Sequence, residues 1–189
     1  MDLKPIANFI FELGHLKRIH HEGWKLAGVE IPDTVAEHAL RAAQIGFILA
    51  ELEGYTDPNE VCTMLVFHDM AEARVGDIHK VANRYVTVDE AGAAHEQTAP
   101  LEQIGVDIFA LWQQVELKNT IAGVIAKDAD LLEQAVTAKE YAERGFKATQ
   151  NWIDNVAQAL RTESAKRLLA TLLTMPAYEW WHGLKKLDK

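Results

Sequence analysis

Apolar residues recur at helical spacing along almost the whole chain, and no segment alternates convincingly enough to make a strand. Such a chain buries its apolar surface by packing helices against helices. Ile6, Phe9, Ile10, Leu13 and Leu16 mark a first amphipathic helix. Glu22 to Asp33, with Gly23, Gly28 and Pro32, reads as a long loop. Thr34 followed by Glu37 forms a capping box that starts a second helix running to about Glu53. Asp57 and Pro58 start a third, which runs through Val61–Phe67 to about Ala73 and stops near Gly76. Beyond an irregular stretch from His79 to Val88, helices are expected over about Asp89–Gln103, Asp107–Leu117, Thr120–Arg144, Thr149–Arg161 and Glu163–Met175. Neither a repeat nor a linker interrupts the pattern, so the expectation is one all-α, single-domain helical bundle over residues 1–189.

Composition narrows the function. The 28 acidic and 19 basic residues leave a formal charge of −9, which argues against a nucleic-acid polymer as partner, since duplex binding needs clustered Lys and Arg. A small phosphorylated substrate stays open, because a metal ion and one or two basic side chains supply local positive charge. No apolar run reaches the roughly 20 residues that span a bilayer, and the N-terminus lacks a signal pattern. The single Cys62 forms no internal disulfide and fits a reducing compartment, so a cytoplasmic protein without membrane partners is expected.

A few polar residues fall where the pattern wants apolar ones. His38 shares a helical face with Ala42, Ile45 and Leu49, so its imidazole points inward. His68 and Asp69 follow the apolar run Val61–Phe67, where an imidazole beside a carboxylate is costly unless both have partners. Glu72 lies four residues after His68 and three after Asp69, on the same face, and Asp77 follows Gly76 closely. On the long helix either Asp128 or Asp130 can face inward. Asp128 shares its stripe with Ile121, Val124, Leu132 and Ala135, while Asp130 shares one with the small and polar Gly123, Ala126, Gln134 and Thr137. Periodicity slightly favours Asp128 and does not decide. Two imidazoles and two carboxylates suit one borderline divalent ion (Co, Mn, Zn, Ni or Fe), and the thiolates of a structural zinc site are missing. His15, His20 and His21 flank the basic pair Lys17-Arg18 and read as a solvated helix end, with phosphate contact as the alternative.

The segments Thr-Val-Ala-Glu-His38, Leu-Val-Phe-His68-Asp69-Met-Ala-Glu72 and Lys-Asp-Ala-Asp130-Leu-Leu-Glu resemble the H…HD…D signature of the HD-domain superfamily. Together with Gly23-Trp24 and the run from His68 to Asp77, they resemble most the HD-domain 5′-deoxynucleotidases, over about residues 6–145. The resemblance implies His38, His68, Asp69 and Asp130 as metal ligands, choosing Asp130 over Asp128. It implies Glu72 and Asp77 in the hydrolytic step and Trp24 in the nucleotide pocket. Some members carry a phosphate-contacting arginine just before that tryptophan. This chain has Gly23 there, and Arg18, Lys17 or Lys25 is expected to take the role.

The implied protein is an HD-type α-helical bundle, often a homodimer, acting on a small-molecule nucleotide substrate: a metal-dependent phosphomonoesterase releasing phosphate from deoxyribonucleoside 5′-monophosphates. The rival substrates are a cyclic nucleotide, a guanosine polyphosphate or a non-nucleotide phosphate ester. A rival of another class is a metal-stabilised binding protein without turnover.

Overall fold

The structure is a computed structural model that describes residues 2–184. Nine α-helices and several short 3-10 turns make up the described residues, with no strand among them beyond an isolated antiparallel bridge between His20 and Thr34. The helices are α1 (Lys4–Leu13), α2 (Val35–Leu52), α3 (Pro58–Phe67), α4 (Glu72–Val75), α5 (Glu90–Thr98), α6 (Gln103–Leu117), α7 (Ile121–Glu143), α8 (Gln150–Ala159) and α9 (Glu163–Thr174). The all-α expectation holds.

Start signals in the sequence act as written. Thr34 and Glu37 make both halves of a capping box, with the Thr34 N–H donating to Glu37 Oε2 at 2.7 Å. Asp57 caps α3 with Pro58 in its first turn, Thr120 caps α7 and Thr162 caps α9.

Helix α7 is the centre of the bundle, packing against α2, α3, α6, α8 and α9. The main core joins Ala42, Leu49, Val61, Met64, Leu65, Ile125, Ala129 and Leu132 with their neighbours. Small residues on α2 and α7 let the backbones approach. Gly46 shows how closely, because a Cβ there would lie 2.2 Å from Leu65 Cδ1 and 3.6 Å from the Ala129 Cβ. Helices α2, α3 and α7 therefore meet within one side chain of each other, one turn or two from His38, His68 and Asp130.

Boundaries differ from the sequence expectation in four places. The first helix ends at Leu13 and continues only as a 3-10 turn over Gly14–Arg18. The expected loop after Glu22 contains a 3-10 turn, Glu22–Ala27, closed by Gly28 in the left-handed region. The helix expected over Asp89–Gln103 stops at Thr98, and α6 starts at Gln103 rather than near Asp107. Glu102, with φ of 55°, makes the break, and Gly105 lets α6 press on the Thr98 carbonyl, 1.9 Å from where its Cβ would be.

The fourth difference shapes the site. The third helix ends at Phe67, six residues early, although no Gly or Pro marks the stop. His68 Nδ1 bonds the Leu65 carbonyl at 2.8 Å and so competes for an acceptor of the regular ladder. From there the chain winds more tightly, with Met70 N–H donating to Phe67, Glu72 to Asp69 and Ala73 to Met70. At three residues per turn, side chains three apart eclipse, and Asp69 and Glu72 are brought to one side.

Candidate metal and catalytic site

His38 from α2, His68 and Asp69 from the end of α3, and Asp130 from α7 converge on one point. His38 Nε2 lies 3.3 Å from His68 Nε2, 3.2 Å from Asp130 Oδ1 and 3.6 Å from Asp69 Oδ2. His68 Nε2 lies 3.0 Å from Asp69 Oδ2 and 3.9 Å from Asp130 Oδ1. Both histidines and Asp130 are buried. Donors each about 2.1 Å from a shared ion sit roughly 3.0 Å apart at right angles and about 3.4 Å apart at the tetrahedral angle. The observed spacings bracket those values.

Proton bookkeeping supports the same reading. Glu133, buried on α7, bonds His38 Nδ1, and the Leu65 carbonyl takes His68 Nδ1. Each imidazole thus has an acceptor on Nδ1 and turns Nε2 toward the other ring and toward two carboxylates, so that with an ion bound each neutral ring would keep its proton on Nδ1 and offer the Nε2 lone pair. A cation is what such a donor set accommodates. Burial alone would lower both imidazoles and raise Asp130. The surrounding carboxylates instead hold His38 well above and His68 above the ordinary histidine value, and Lys127 with the two imidazoles holds Asp130 well below the usual carboxylate range.

Three more groups surround these four: Glu133 and Lys127, to which the sequence reading gave no role, and Gln134, which it named only as a polar member of the Asp130 stripe. Glu133 is itself fixed by Arg41 Nε at 2.9 Å and Thr137 Oγ1 at 2.9 Å. Lys127 Nζ donates to Asp130 Oδ2 at 2.7 Å, and Gln134 Nε2 to Asp130 Oδ1 at 3.1 Å. Lys127 is raised by Asp130 first, against its partial burial. A polar stripe of Asp130, Glu133, Thr137 and Glu140 runs along a helix otherwise deep in the bundle, and that stripe was the available signal. Asp128, which periodicity favoured, does something else. It accepts the Arg161 and Thr162 backbone N–H groups and the Thr162 hydroxyl, at 2.6–3.1 Å, and so ties α7 to the start of α9.

Glu72 stands beside Asp69, and its Oε2 is buried without a hydrogen-bond partner. Burial, then the charges of Asp69 and Asp77, push its carboxyl up to about 10. Asp77 Oδ2 accepts the Glu22 N–H at 2.6 Å, which joins the segment after α4 to the 3-10 turn carrying Trp24. Trp24 is 2% exposed and packs on Trp152 and Tyr141, with ring centroids 5.0 and 5.5 Å away. Lys17 and Arg18 lie exposed on the turn after α1, and neither makes an ion pair among the described residues. His21, expected in a solvated helix end, is instead inside the site, with its ring centroid 4.6 Å from that of His38.

The HD-domain family pattern matches residues 13–171 of the chain. The chain belongs to the HD-domain family. It is 33% identical over 141 residues to the 5′-deoxynucleotidase HDDC2 of Dictyostelium discoideum, covering 69% of this chain and 74% of that protein. The human protein of the same name is 24% identical over 176 residues, covering 89% and 85%. A structural-genomics crystal structure superposes with a TM-score of 0.80 at 35% identity, covering 94% of this chain and 98% of the other. A predicted metal-dependent phosphohydrolase from Magnetospirillum magnetotacticum shares the fold, at a TM-score of 0.69 and 22% identity with 91% of each chain covered. This HD-family member is a 5′-deoxynucleotidase-like protein, and its four converging donors are compatible with a divalent ion.

Proposed function

We propose that this HD-domain phosphohydrolase releases inorganic phosphate from deoxyribonucleoside 5′-monophosphates, with His38, His68, Asp69 and Asp130 holding one divalent ion. The observation that carries the reading is the buried carboxyl oxygen of Glu72, without a hydrogen-bond partner, beside the four donors. A site that only stabilises a fold has no use for it. An ion bound there acidifies water and neutralises charge on a phosphoryl oxygen.

The chain's own residues supply the rest. Burial and the charges of Asp69 and Asp77 favour the neutral carboxyl of Glu72, which suits proton donation to the departing 5′-oxygen. Asp77 has one oxygen tied to the Glu22 amide, and its other oxygen accepts the proton of the attacking water. One P–O bond forms to that water and the bond to the 5′-oxygen breaks, so Glu72 loses a proton as Asp77 gains one. Lys127 places positive charge at the same end of α7 and supplies part of the charge an arginine would bring. Trp24, at the back of the 3-10 turn, belongs to the wall of the nucleotide pocket, and Arg18 and Lys17 reach substrate from its exposed rim. A homodimer and a cytoplasmic location belong to the same reading; the first rests on the family resemblance and the second on the lone Cys62.

A phosphate-release screen with added Co, Mn, Zn, Ni or Fe(II), over deoxy- and ribonucleoside monophosphates, tests it. Turnover of several deoxynucleotides and few ribonucleotides is expected. Release only from a cyclic nucleotide, a guanosine polyphosphate or a non-nucleotide ester would replace the substrate, and no turnover with any metal would overturn the enzyme.

A further inference from the structure

Three histidines, not two, approach the donor cluster. His21 lies between two 3-10 turns, in a short stretch that runs alongside the start of α2. Its N–H donates to the Asp33 carbonyl at 3.0 Å, and the Val35 N–H donates to Ile19 at 2.9 Å. This pairing sets the His21 ring against the first turn of α2, edge-on to His38 with the planes at 61°. Its side chain is only 13% exposed, and Nδ1 lies 3.2 Å from Asp33 Oδ2. Asp33 is steadied in turn by the Tyr141 hydroxyl, which donates to Oδ1 at 3.1 Å.

Ligand atoms of His21, His38 and Asp69 all lie within 4.8 Å of one another, as do those of His38, His68 and Asp130. His38 belongs to both triads. Its Nδ1 is committed to Glu133, so only Nε2 is free, and one nitrogen serves one ion. The two triads therefore describe a single centre.

His21, like the other two imidazoles, has an acceptor close to Nδ1. Nδ1 of His38 bonds Glu133 and Nδ1 of His68 bonds the Leu65 carbonyl, while Nδ1 of His21 lies at ion-pair distance, 3.2 Å, from an Asp33 oxygen that has no hydrogen-bond partner. A carboxylate close to Nδ1 favours the tautomer that offers Nε2 as a ligand. Asp33 is itself anchored to α7, its N–H donating to the Tyr141 hydroxyl at 3.2 Å, so the carboxylate beside His21 is fixed in place. We propose that His21 is a fifth protein ligand of the same ion, joining on the flank formed by His38 and Asp69. This rests on the metal-dependent reading above. A third imidazole leaves a six-coordinate ion fewer positions for water and substrate, and favours a borderline metal over Mg or Ca.

The test uses the full chain, stripped with a chelator and titrated with Co(II) alone. X-ray absorption should count three imidazoles on the bound cobalt in the native protein and two in His21→Ala. The variant should bind Co(II) about 10- to 100-fold more weakly, the range typical of lost support at a metal site. Free imidazole should restore the third imidazole and most of the affinity, which a purely structural role would not allow. Two imidazoles in the native protein, or equal affinity in native and variant, would overturn the His21 assignment and leave the four-ligand site standing. No stoichiometric Co(II) in the native protein would overturn both. Should His21→Ala fail to fold by circular dichroism, the count on the native protein decides.

Discussion

Glu133 on α7 accepts the Nδ1 proton of His38 on α2, and that contact decides which nitrogen of His38 faces the other donors. Glu133 is held below its ordinary value despite burial, by His38 first and then Arg41, so it is the carboxylate that accepts and the imidazole that donates. Arg41 in turn joins Glu133 to Thr137 and Glu140, so the ligand's tautomer is backed by a network across two helices.

Replacing Glu133 by Gln keeps the shape and removes the charge that orients His38. Metal affinity should fall about 10- to 100-fold while the helical circular dichroism stays. Isothermal titration with Co(II) or Mn(II) reads this directly, and native affinity in Glu133→Gln would show that His38 is oriented by something else.

Glu72→Gln should leave metal content per chain near the native level and cut turnover by about 10²–10⁴, the usual contribution of a positioned acid or base. Metal analysis after gel filtration, together with steady-state phosphate release, separates the two quantities. Loss of metal would move Glu72 into the ligand set.

The same residue makes a prediction about pH. In the metal-free protein Glu72 is pushed up to about 10 by burial and by Asp69 and Asp77, from an ordinary 4.5. Between those values the folded chain holds a proton that the unfolded chain has released, so its contribution to stability is complete below 4.5 and is lost as pH rises toward 10. Glu72→Gln carries no such proton. The melting temperature of the metal-free native protein minus that of Glu72→Gln should therefore shrink steadily from about pH 5 to pH 9. A difference that stays flat over this range would place Glu72 in a solvated setting.

Asp128 and Asp130 stand two residues apart and should separate cleanly. Asp128→Ala strands the Arg161 and Thr162 amides at the start of α9 and should cost about 1–3 kcal/mol in urea unfolding, with metal affinity kept. Asp130→Ala should abolish metal binding and turnover together. Swapped outcomes would reverse the assignment.

Residue order alone determined a good deal here. Spacing of Ile, Leu and Val, the capping pairs at Thr34 and Asp57, and the absence of alternation specify helices, because these are local effects of backbone hydrogen bonding and side-chain period. The inward faces of His38 and His68 follow from the same period. What local pattern could not carry is any contact whose partner lies far along the chain. His38 meets Glu133 across 95 residues, and Glu22 meets Asp77 across 55. The stop at Phe67 depends on the His68 ring reaching back to Leu65, and no residue type announces it. Asp128 and Asp130 are both buried acids on one helix, so periodicity ranked them by their apolar neighbours and missed what each pairs with. Only the packing of α2, α3 and α7 around small residues such as Gly46 brings Asp130 to the histidines, because a buried carboxylate goes where compensating protons and cations are. For the same reason His21, which reads as a solvated residue in a basic stretch, is drawn in by the pairing of residues 19–21 with 33–35 and comes to rest against His38.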